Sequence, residues 1–222
     1  MTMKKLIIFG SGDIAELANF YFNRQKAYEV VAFSVDPEYI KESSFCGLPV
    51  VPSSELVDRF STEEHEAFIA LSYSKLNALR RDRYLAIKAQ GYGIASYISD
   101  RATVLTEYPI GENCFILEDN TIQPFTRIGN NVTLWSGNHI GHHSVIGDHT
   151  FIASHVVISG GVTVGEQCFI GVNATVRDHV AIGNRCVIGA GALLLADAQD
   201  EGVYMGTGSE RSRVPSTRLR NI

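Results

Sequence analysis

The first ninety residues alternate short apolar runs with amphipathic stretches. The runs KKLIIFG, YEVVAFSVD and AFIALSY are typical of buried strands. Between and after them, DIAELANFYFNRQ and KLNALRRDRYLAIKAQG carry apolar residues at a spacing of three and four, which is typical of helices. Because strands that alternate with helices form parallel sheets, residues 1–95 predict a small α/β domain.

A different pattern begins at Ile98, from which every sixth residue is aliphatic. The series is Ile98, Val104, Ile110, Ile116, Ile122, Ile128, Leu134, Ile140, Ile146, Ile152, Ile158, Val164, Ile170, Val176, Ile182, Ile188 and Leu194. Neither a helix nor an ordinary sheet has a period of six. Three hexapeptides make one triangular coil of a parallel β-helix, so residues 96–222 predict five to six such coils with the aliphatic side chains pointing inward.

Glycine follows many of these aliphatic residues, as in Ile140-Gly141 and Ile146-Gly147. Because glycine tolerates a left-handed backbone, we expect these glycines to form the corners of the coils. Hexapeptide coils of this kind resemble the left-handed β-helix, an exception to the usual right-handed crossover.

Composition narrows the function classes. The chain has 222 residues, of which 45% are hydrophobic and 19% charged, and its net charge is −5. This charge leaves no basic face large enough to neutralise a run of phosphates, and the basic cluster Arg80, Arg81 and Arg83 falls in a predicted helix, so we do not expect a nucleic-acid partner. We also expect no membrane span, because no apolar run is long enough, and a cytoplasmic protein, because the start MTMKKLIIFGSG lacks a signal-peptide core.

Two groups of residues suggest metal or disulfide chemistry, and neither fits it. The four cysteines form no CxxC pair. Six of the seven histidines lie in the coils, at positions 139, 142, 143, 149, 155 and 179. Stacking every 18 residues puts His142 beneath Gly160 and Asp178, and no histidine lies directly above another, so we predict no metal site.

A glycine loop follows the first predicted strand. Gly10-Ser11-Gly12-Asp13 opens a G-x-G-x-x-A motif, and Asp36 ends the second strand. The motif suggests phosphate at a helix N-terminus and a ribose hydroxyl on Asp36. A full dinucleotide and a reductase activity are disfavoured, because fewer than 100 residues precede the coils. Two alternatives stay open, namely a nucleotide-linked ligand and a plain tight turn.

Nearly the whole chain, from IIFGSGDIAELA to GVYMGTGSERSRV, resembles the NeuD/PglD-type bacterial sugar acetyltransferases. These enzymes combine a Rossmann-like N-terminal domain with a left-handed β-helix. The resemblance implies a homotrimer with active sites between subunits and acetyl-CoA as co-substrate along the groove between neighbouring β-helices. It also implies a nucleotide-linked amino sugar held by the N-terminal domain. Gly10, Ser11, Gly12 and Asp13 would then face the pyrophosphate. Asp13 fits there as a helix cap, and Lys75, at the start of the next predicted helix, would supply a cation.

The resemblance also implies a catalytic base. The family motif matches Ile140-Gly141-His142-His143-Ser144, so the base would be His142, with His143 in reserve and the Gly160 N–H stabilising the oxyanion. His143 stands where the family commonly has an acid that orients the ring, so Asp148, Asp178 or a carbonyl would orient it here. Two other family positions also differ, with Phe151 in place of a histidine and Trp135 in place of the asparagine that faces the acceptor.

Small residues in the upper coils complete the implied site. We expect Gly160, Gly171, Val172, Ala190 and Gly191 to line the path of the pantetheine arm. From the terminal segment, Arg211 and Arg213 would pair with the CoA phosphates, and a solvated tail is the alternative that stays open.

The expected activity is N-acetylation of a nucleotide-linked amino sugar for surface glycan assembly, such as lipopolysaccharide O-antigen. Two alternatives stay open, which are O-acetylation of a sialic acid or related glycan and a non-catalytic, nucleotide-sugar-binding trimer. The sequence does not determine which nucleobase the nucleotide carries, which sugar is bound or how long the acyl chain is.

Overall fold

The N-terminal part is a six-stranded sheet with helices on both sides. A computed structural model describes residues 3–211, 213 and 215–218. The strands of this part are β1 (Lys4–Phe9), β2 (Tyr28–Val35), β3 (Ser44–Phe45), β4 (Leu48–Pro52), β5 (His65–Ile69) and β6 (Gly93–Ile94). The helices are α1 (Asp13–Gln25), α2 (Leu56–Arg59) and α3 (Ala78–Ala89), with short 3₁₀ turns at Pro37–Tyr39, Ser53–Glu55 and Ser216–Arg218.

The order of the strands in this sheet is β3-β4-β2-β1-β5-β6. Neighbours are parallel throughout, as predicted, except the short edge strand β3, which runs antiparallel to β4. The chain leaves β1 toward β2 on one side and returns to β5 on the other. Crevices at such a reversal, beyond the carboxyl ends of the strands, are where open α/β sheets bind ligands.

Alternate residues of β1 serve two apolar cores. Leu6 and Ile8 face α1, while Ile7 and Phe9 face α3. The core on the α1 side also contains Phe115 from the coils. The N-terminal part and the coils therefore share one buried interface.

The coils form three parallel sheets, one on each face of a triangular prism. Face 1 contains β7 (Tyr97–Ile98), β9 (Phe115–Ile116), β12 (Thr133–Leu134), β15 (Phe151–Ile152), β18 (Phe169–Ile170), β21 (Val187–Ile188) and β23 (Val203–Tyr204). Face 2 contains β8 (Thr103–Val104), β10 (Thr121–Ile122), β13 (His139–Ile140), β16 (Val157–Ile158), β19 (Thr175–Val176) and β22 (Leu193–Leu194). Face 3 contains β11 (Arg127–Ile128), β14 (Val145–Ile146), β17 (Thr163–Val164) and β20 (Ala181–Ile182).

Stacked strands pair residues that are 18 apart, such as Ile140 with Ile122 below it and Ile158 above it. The inward aliphatic residues from Ile116 to Leu194 are buried, as the period predicts. The first coil differs, because no coil lies beneath it. There Val104 is 36% exposed, and Ile110 belongs to none of the described strands. The last coil is two residues shorter, so that Ile188 pairs with Tyr204 and Ile182 with Ala198.

The expected role of the glycines was wrong. The left-handed corners lie three residues after each inward aliphatic, at every sixth position from Asn113 to Gly191. The glycines directly after the aliphatic residues are not left-handed, and close packing explains them instead. A Cβ on Gly141 would lie 2.5 Å from the carbonyl carbon of Ser159 in the next coil. Asparagine and histidine occupy several left-handed corners, as their tolerance of this conformation allows.

The start of α3 also differs from the prediction. Lys75 lies before the helix, which begins at Ala78. Lys75, Leu76 and Asn77 are all left-handed, with φ of 52°, 50° and 63°. Three such residues in a row are strained and persist only where the surroundings hold them. Here the buried Asn77 side chain donates to the carbonyl of Cys168 on the coils, at 2.9 Å.

A buried cation joins α3 to the coils. Arg80 is 1% exposed and donates to Thr133 Oγ1 at 3.0 Å and to the carbonyls of Asn131, His149 and Thr150 at 3.1–3.3 Å. Burial lowers the pKa of Arg80 to about 10, so it stays charged at neutral pH. The carbonyls belong to successive coils, and the position of α3 over face 1 is thereby fixed.

A polar ladder runs along the neighbouring corner. Asn113 Nδ2 donates to Asn131 Oδ1 at 2.8 Å, and Asn131 Nδ2 lies 3.0 Å from His149 Nδ1. Because an amide nitrogen can only donate, His149 Nδ1 accepts and the ring is neutral. Burial lowers the pKa of His149 below its usual value of 6.5.

None of the helices in the described residues is long and apolar enough to cross a bilayer.

Arg80→Met should destabilise the fold strongly. The substitution keeps most of the apolar stem but leaves buried carbonyls without their donor, and we expect a loss of about 3 kcal/mol in the free energy of unfolding. Arg59→Met is the matched control, because Arg59 makes only an exposed ion pair with Glu55, and it should cost under ~0.5 kcal/mol. Denaturant unfolding measures both. Equal losses would contradict the anchoring role of Arg80.

Stability should fall as the pH drops below about 6.5. The unfolded chain binds a proton at residue 149 more readily than the folded chain, since burial lowers the folded pKa of His149. Its contribution is present above the unfolded pKa and is lost as the pH falls toward the folded one. His149→Asn keeps a residue that tolerates the left-handed corner and should flatten this slope. Urea midpoints at several pH values between 7.5 and 5 measure it, and identical slopes would refute the assignment.

Candidate functional site

The loop after β1 is shaped by one glycine. Gly10 has φ +128°, and a Cβ there would lie 2.7 Å from the carbonyl oxygen of Ala70. Ser11 and Gly12 are exposed, and Gly12 is the N-cap of α1. The expectation that Asp13 caps this helix was wrong, because Asp13 is its first residue and the cap makes no side-chain hydrogen bond. The loop thus presents backbone amides, with a carboxylate beside them in the first turn.

Both carboxylate oxygens of Asp36 already have partners within the protein. Its Oδ1 accepts from Ser53 Oγ at 3.0 Å, and its Oδ2 pairs with Arg83 Nη2 at 2.7 Å. A ribose hydroxyl at Asp36 would therefore compete with these two partners. A cavity of about 280 Å³ nearby includes Ser11 and Lys41 in its lining.

An aromatic pocket of about 310 Å³ lies between the two parts of the chain. Its lining is Ile14, Tyr73, Trp135, Phe151, Ala153, Ser154, Phe169, Gly171, Val172 and Ala190. Phe151 and Phe169 stack one coil apart, with ring centroids 5.7 Å apart and planes 17° apart. Tyr73 lies against both, at 5.1 Å and 4.8 Å. The structure thus brings together Trp135 with Gly171, Val172 and Ala190, all of which were predicted site residues.

Sequence reasoning missed Phe169, Tyr73 and Ile14 as members of this pocket. Phe169 had a signal, since it follows Phe151 by one coil of 18 residues. Tyr73 had none, because its position depends on the left-handed turn through Lys75, Leu76 and Asn77. Lys75 itself is exposed and is not among the residues that line the pocket.

The predicted base lies elsewhere, on the corner that follows face 2. His142 and His143 are exposed, and their Nδ1 atoms are 3.1 Å apart. Gln123 Oε1 accepts from the backbone N–H of His142 at 2.9 Å. Gly160 lies against the ring, since a Cβ there would be 2.6 Å from His142 Cε1 and 2.7 Å from Nε2. Within one chain, His142 is not among the residues that line the aromatic pocket.

Asp148 does not orient His142, contrary to one of the expectations. Its carboxylate accepts from the backbone N–H of Asn130 at 2.7 Å and from Asn130 Nδ2 at 3.2 Å. Among the described residues, no carboxylate oxygen lies within 4.0 Å of a histidine nitrogen, which also excludes a direct contact from Asp178 in one chain. The partner of the His142 ring is His143.

The remaining predicted residues lie at the upper end of the coils. Gly191 is a left-handed corner with φ +66°, next to Ala190 of the pocket. Arg211 and Arg213 are exposed in the terminal segment. Ser212, Val214 and residues 219–222 of that segment lie outside the described residues. In the part of the chain that the structure describes, no group of three or more His, Cys, Asp or Glu side chains could hold a metal ion.

The repeat class of the coils is confirmed by comparison. Residues 110–142, 125–160 and 161–196 match the family model of the bacterial transferase hexapeptide (six repeats). Hexapeptide repeats and stacked parallel strands fit a left-handed β-helix. No curated protein sequence matches the chain significantly.

The fold is similar to that of three solved structures, one of which is an acetyltransferase domain. The acetyltransferase domain of PglB from Neisseria gonorrhoeae FA1090, in complex with acetyl coenzyme A, matches with a TM-score of 0.82 and 21% identity, over 92% of this chain and 97% of that one. PerB from Caulobacter crescentus, in complex with CoA and GDP-perosamine, matches with a TM-score of 0.81 and 23% identity, over 92% of this chain and 95% of that one. WeeI from Acinetobacter baumannii AYE matches with a TM-score of 0.70 and 16% identity, over 91% of this chain and 96% of that one. The similarity covers both parts of the chain.

Gly160→Ala should displace the His142 ring without unfolding the coils. Gly160 is not left-handed, and the atoms that an added Cβ meets are the ring atoms of an exposed side chain. We expect an unchanged melting temperature, within about 2 °C, because exposed changes cost little. The His142 ring resonances should shift in an NMR spectrum. Unshifted resonances would show that the ring does not rest on Gly160.

Proposed function

We propose that this protein is an acetyl-CoA-dependent N-acetyltransferase that acts on a nucleotide-linked amino sugar, in the assembly of a surface glycan such as lipopolysaccharide O-antigen. The observation that carries the proposal is the corner with His142. Its imidazole is exposed, rests on Gly160, and has Nδ1 engaged by His143 while Nε2 makes no hydrogen bond among the described residues. An unengaged imidazole nitrogen is what a general base requires.

The comparisons support the same chemistry. PglB was solved with acetyl coenzyme A, and PerB with CoA and GDP-perosamine. Structures of the Caulobacter perosamine N-acetyltransferase with one histidine changed to asparagine or alanine also hold CoA and GDP-perosamine. The hexapeptide repeat is that of bacterial transferases. Acetyl-CoA as the donor would also place the reaction in the cytoplasm.

In the proposed reaction, the amine nitrogen of the sugar attacks the thioester carbonyl carbon, and His142 Nε2 takes the proton that this amine loses. The new C–N bond forms, the C–S bond breaks, and the proton passes from His142 to the CoA sulfur. The products are the N-acetyl sugar and CoA thiol. The Gly160 N–H is suited to stabilise the oxyanion, because it has no partner among the backbone hydrogen bonds of the described residues.

The N-terminal part is proposed to bind the nucleotide. We assign residues 1–95 as a Rossmann-like domain, which the strand order β4-β2-β1-β5-β6 supports, and residues 96–222 as the β-helix domain. The loop at Gly10, Ser11 and Gly12 lies at the crevice where the sheet order reverses around β1. Exposed amides there suit a pyrophosphate, and Lys75 supplies a positive charge after β5.

The aromatic pocket is proposed to receive the sugar and the reactive end of the donor. Trp135 and Phe151 offer flat apolar faces, which suit a sugar ring with few hydroxyls on one side. Gly171, Val172 and Ala190 leave room for a pantetheine arm along the coils, and Gly191 and Arg211 follow toward the CoA phosphates.

A homotrimer completes this arrangement. Within one chain, His142 lies on the corner after face 2, while the aromatic pocket opens between face 1 and the N-terminal part. Active sites between subunits would bring His142 of one chain to the pocket of another. Size-exclusion chromatography with light scattering tests the trimer, for which the chain mass of 24.3 kDa predicts about 73 kDa.

The decisive experiment is thiol release from acetyl-CoA with a panel of UDP-, dTDP- and GDP-linked amino sugars. We expect release with one amino sugar and none with sialic acid or the matched hydroxy sugars. Release with the hydroxy acceptors instead would favour O-acetylation. Silence across the panel, together with no acetyl-CoA binding, would favour a non-catalytic trimer.

His142→Asn should lower turnover of the accepted amino sugar by roughly 10²-fold, because the general base is lost. His179→Asn is the matched control, since His179 is an exposed histidine on the same side of the prism, two coils higher. It should leave turnover unchanged. Equal activity of the His142 variant and the control would refute His142 as the base.

A further inference from the structure

The two adjacent histidines form a hydrogen-bonded pair. His142 Nδ1 and His143 Nδ1 are 3.1 Å apart, and the ring planes are nearly perpendicular, at 86°. A neutral imidazole has one protonated and one unprotonated nitrogen, so one Nδ1 must donate and the other accept. The pair therefore links the tautomer of His142 to that of His143.

Both rings are held from outside the pair. His143 packs against Phe125 one coil below, with ring centroids 4.7 Å apart and the ring planes tilted by 38°. Phe125 and His143 are both left-handed corner residues, with φ of 64° and 59°, so their Cβ atoms leave the corner in the same direction. On the other side, His142 is fixed by Gln123 at its backbone N–H and by Gly160 at its ring.

We propose that His143 is a positioning residue whose Nδ1 accepts a hydrogen bond from His142 Nδ1–H and so keeps the lone pair of His142 on Nε2. The inference rests on the proposed function, in which Nε2 is the base. An imidazole fills this role because no carboxylate oxygen lies within 4.0 Å of a histidine nitrogen among the described residues.

The hydrogen bond should strengthen during the reaction. When Nε2 accepts the proton of the amine, His142 becomes an imidazolium, and its Nδ1–H becomes a charged donor. Hydrogen bonds from charged donors are roughly twice as strong as neutral ones. An interaction that is stronger in the transition state than in the ground state raises the rate of the chemical step rather than the affinity. His143 should therefore affect kcat and leave KM nearly unchanged.

The geometry also predicts which substitutions preserve the effect. The accepting atom of His143 is Nδ1, which is bonded to Cγ, and Oδ1 of aspartate or asparagine is likewise bonded to Cγ. Both residues also tolerate the left-handed corner. His143→Asp and His143→Asn should therefore keep the acceptor in place, whereas His143→Gly removes it at a corner whose φ of 59° suits glycine.

The first readout does not depend on the acetyltransferase activity. Nitrogen-15 NMR of histidine-labelled full-length protein distinguishes an imidazole with its proton on Nδ1 from one with its proton on Nε2. We expect the Nδ1–H form for His142 in the natural protein and in the Asp and Asn variants, and loss of that preference in His143→Gly. An Nε2–H form of His142 in the natural protein would overturn the proposal, whatever the enzyme assays give.

The second readout is kinetic and uses the amino sugar that the natural protein accepts. His143→Gly should lower kcat by about 10- to 100-fold, as loss of a hydrogen bond to a charged group implies, with KM for both substrates within about twofold. His143→Asp should restore kcat, and His179→Gly, at a left-handed corner with φ 57°, should not change it. A kcat of His143→Gly within threefold of the natural value would overturn the proposal. An inactive natural protein would instead count against the proposed function, and the NMR result would still test the pair.

Discussion

The stack of inward aliphatic side chains is the constraint on which the rest of the molecule depends. Each coil must return to the same register after 18 residues, because Ile140 can be buried only if Ile122 and Ile158 lie directly below and above it. This requirement brings successive coils so close that Gly141 has no room for a Cβ. It also forces a left-handed residue at each corner, three positions after the aliphatic one. The positions of His142 and His143 follow from that geometry rather than from any local preference of their own.

The second constraint is the attachment of the N-terminal part to the coils. Arg80 donates to the carbonyls of Asn131 and His149, which accept from no backbone N–H among the described residues. Asn77 adds a side-chain donor to the carbonyl of Cys168. Asn77 also ends the left-handed turn that carries Tyr73 over Phe151 and Phe169. The strain of that turn and the burial of the Arg80 charge are thus tied to the pocket, which exists only because the two parts are docked in this way.

Sequence patterns predicted what is periodic and local. The six-residue spacing located strands from Ile116 to Leu194, the apolar runs located β1 and β2, and the spacing of three and four located α1. The pattern could not reveal partners at an irregular distance in the chain, such as Arg83 for Asp36, because a carboxylate looks the same in sequence whether it meets a ligand or a neighbour. It also misassigned the glycines, since a residue without a Cβ serves equally for a left-handed backbone and for close packing. The 18-residue stacking distance could have predicted that Phe169 lines the pocket, whereas no sequence pattern could have predicted Tyr73 there.

The corner backbone also limits which residues can stand beside His142. Position 143 has φ 59°, where β-branched and bulky residues are disfavoured and asparagine, aspartate and histidine are the common non-glycine choices. These three residues share one further property, which is an atom capable of accepting a hydrogen bond, bonded directly to Cγ. The conformation that the coil imposes and the acceptor that a base needs therefore select the same small set of side chains. Histidine differs from aspartate in being neutral when it accepts, so the pair adds no negative charge to a corner that the anionic CoA and nucleotide sugar would approach.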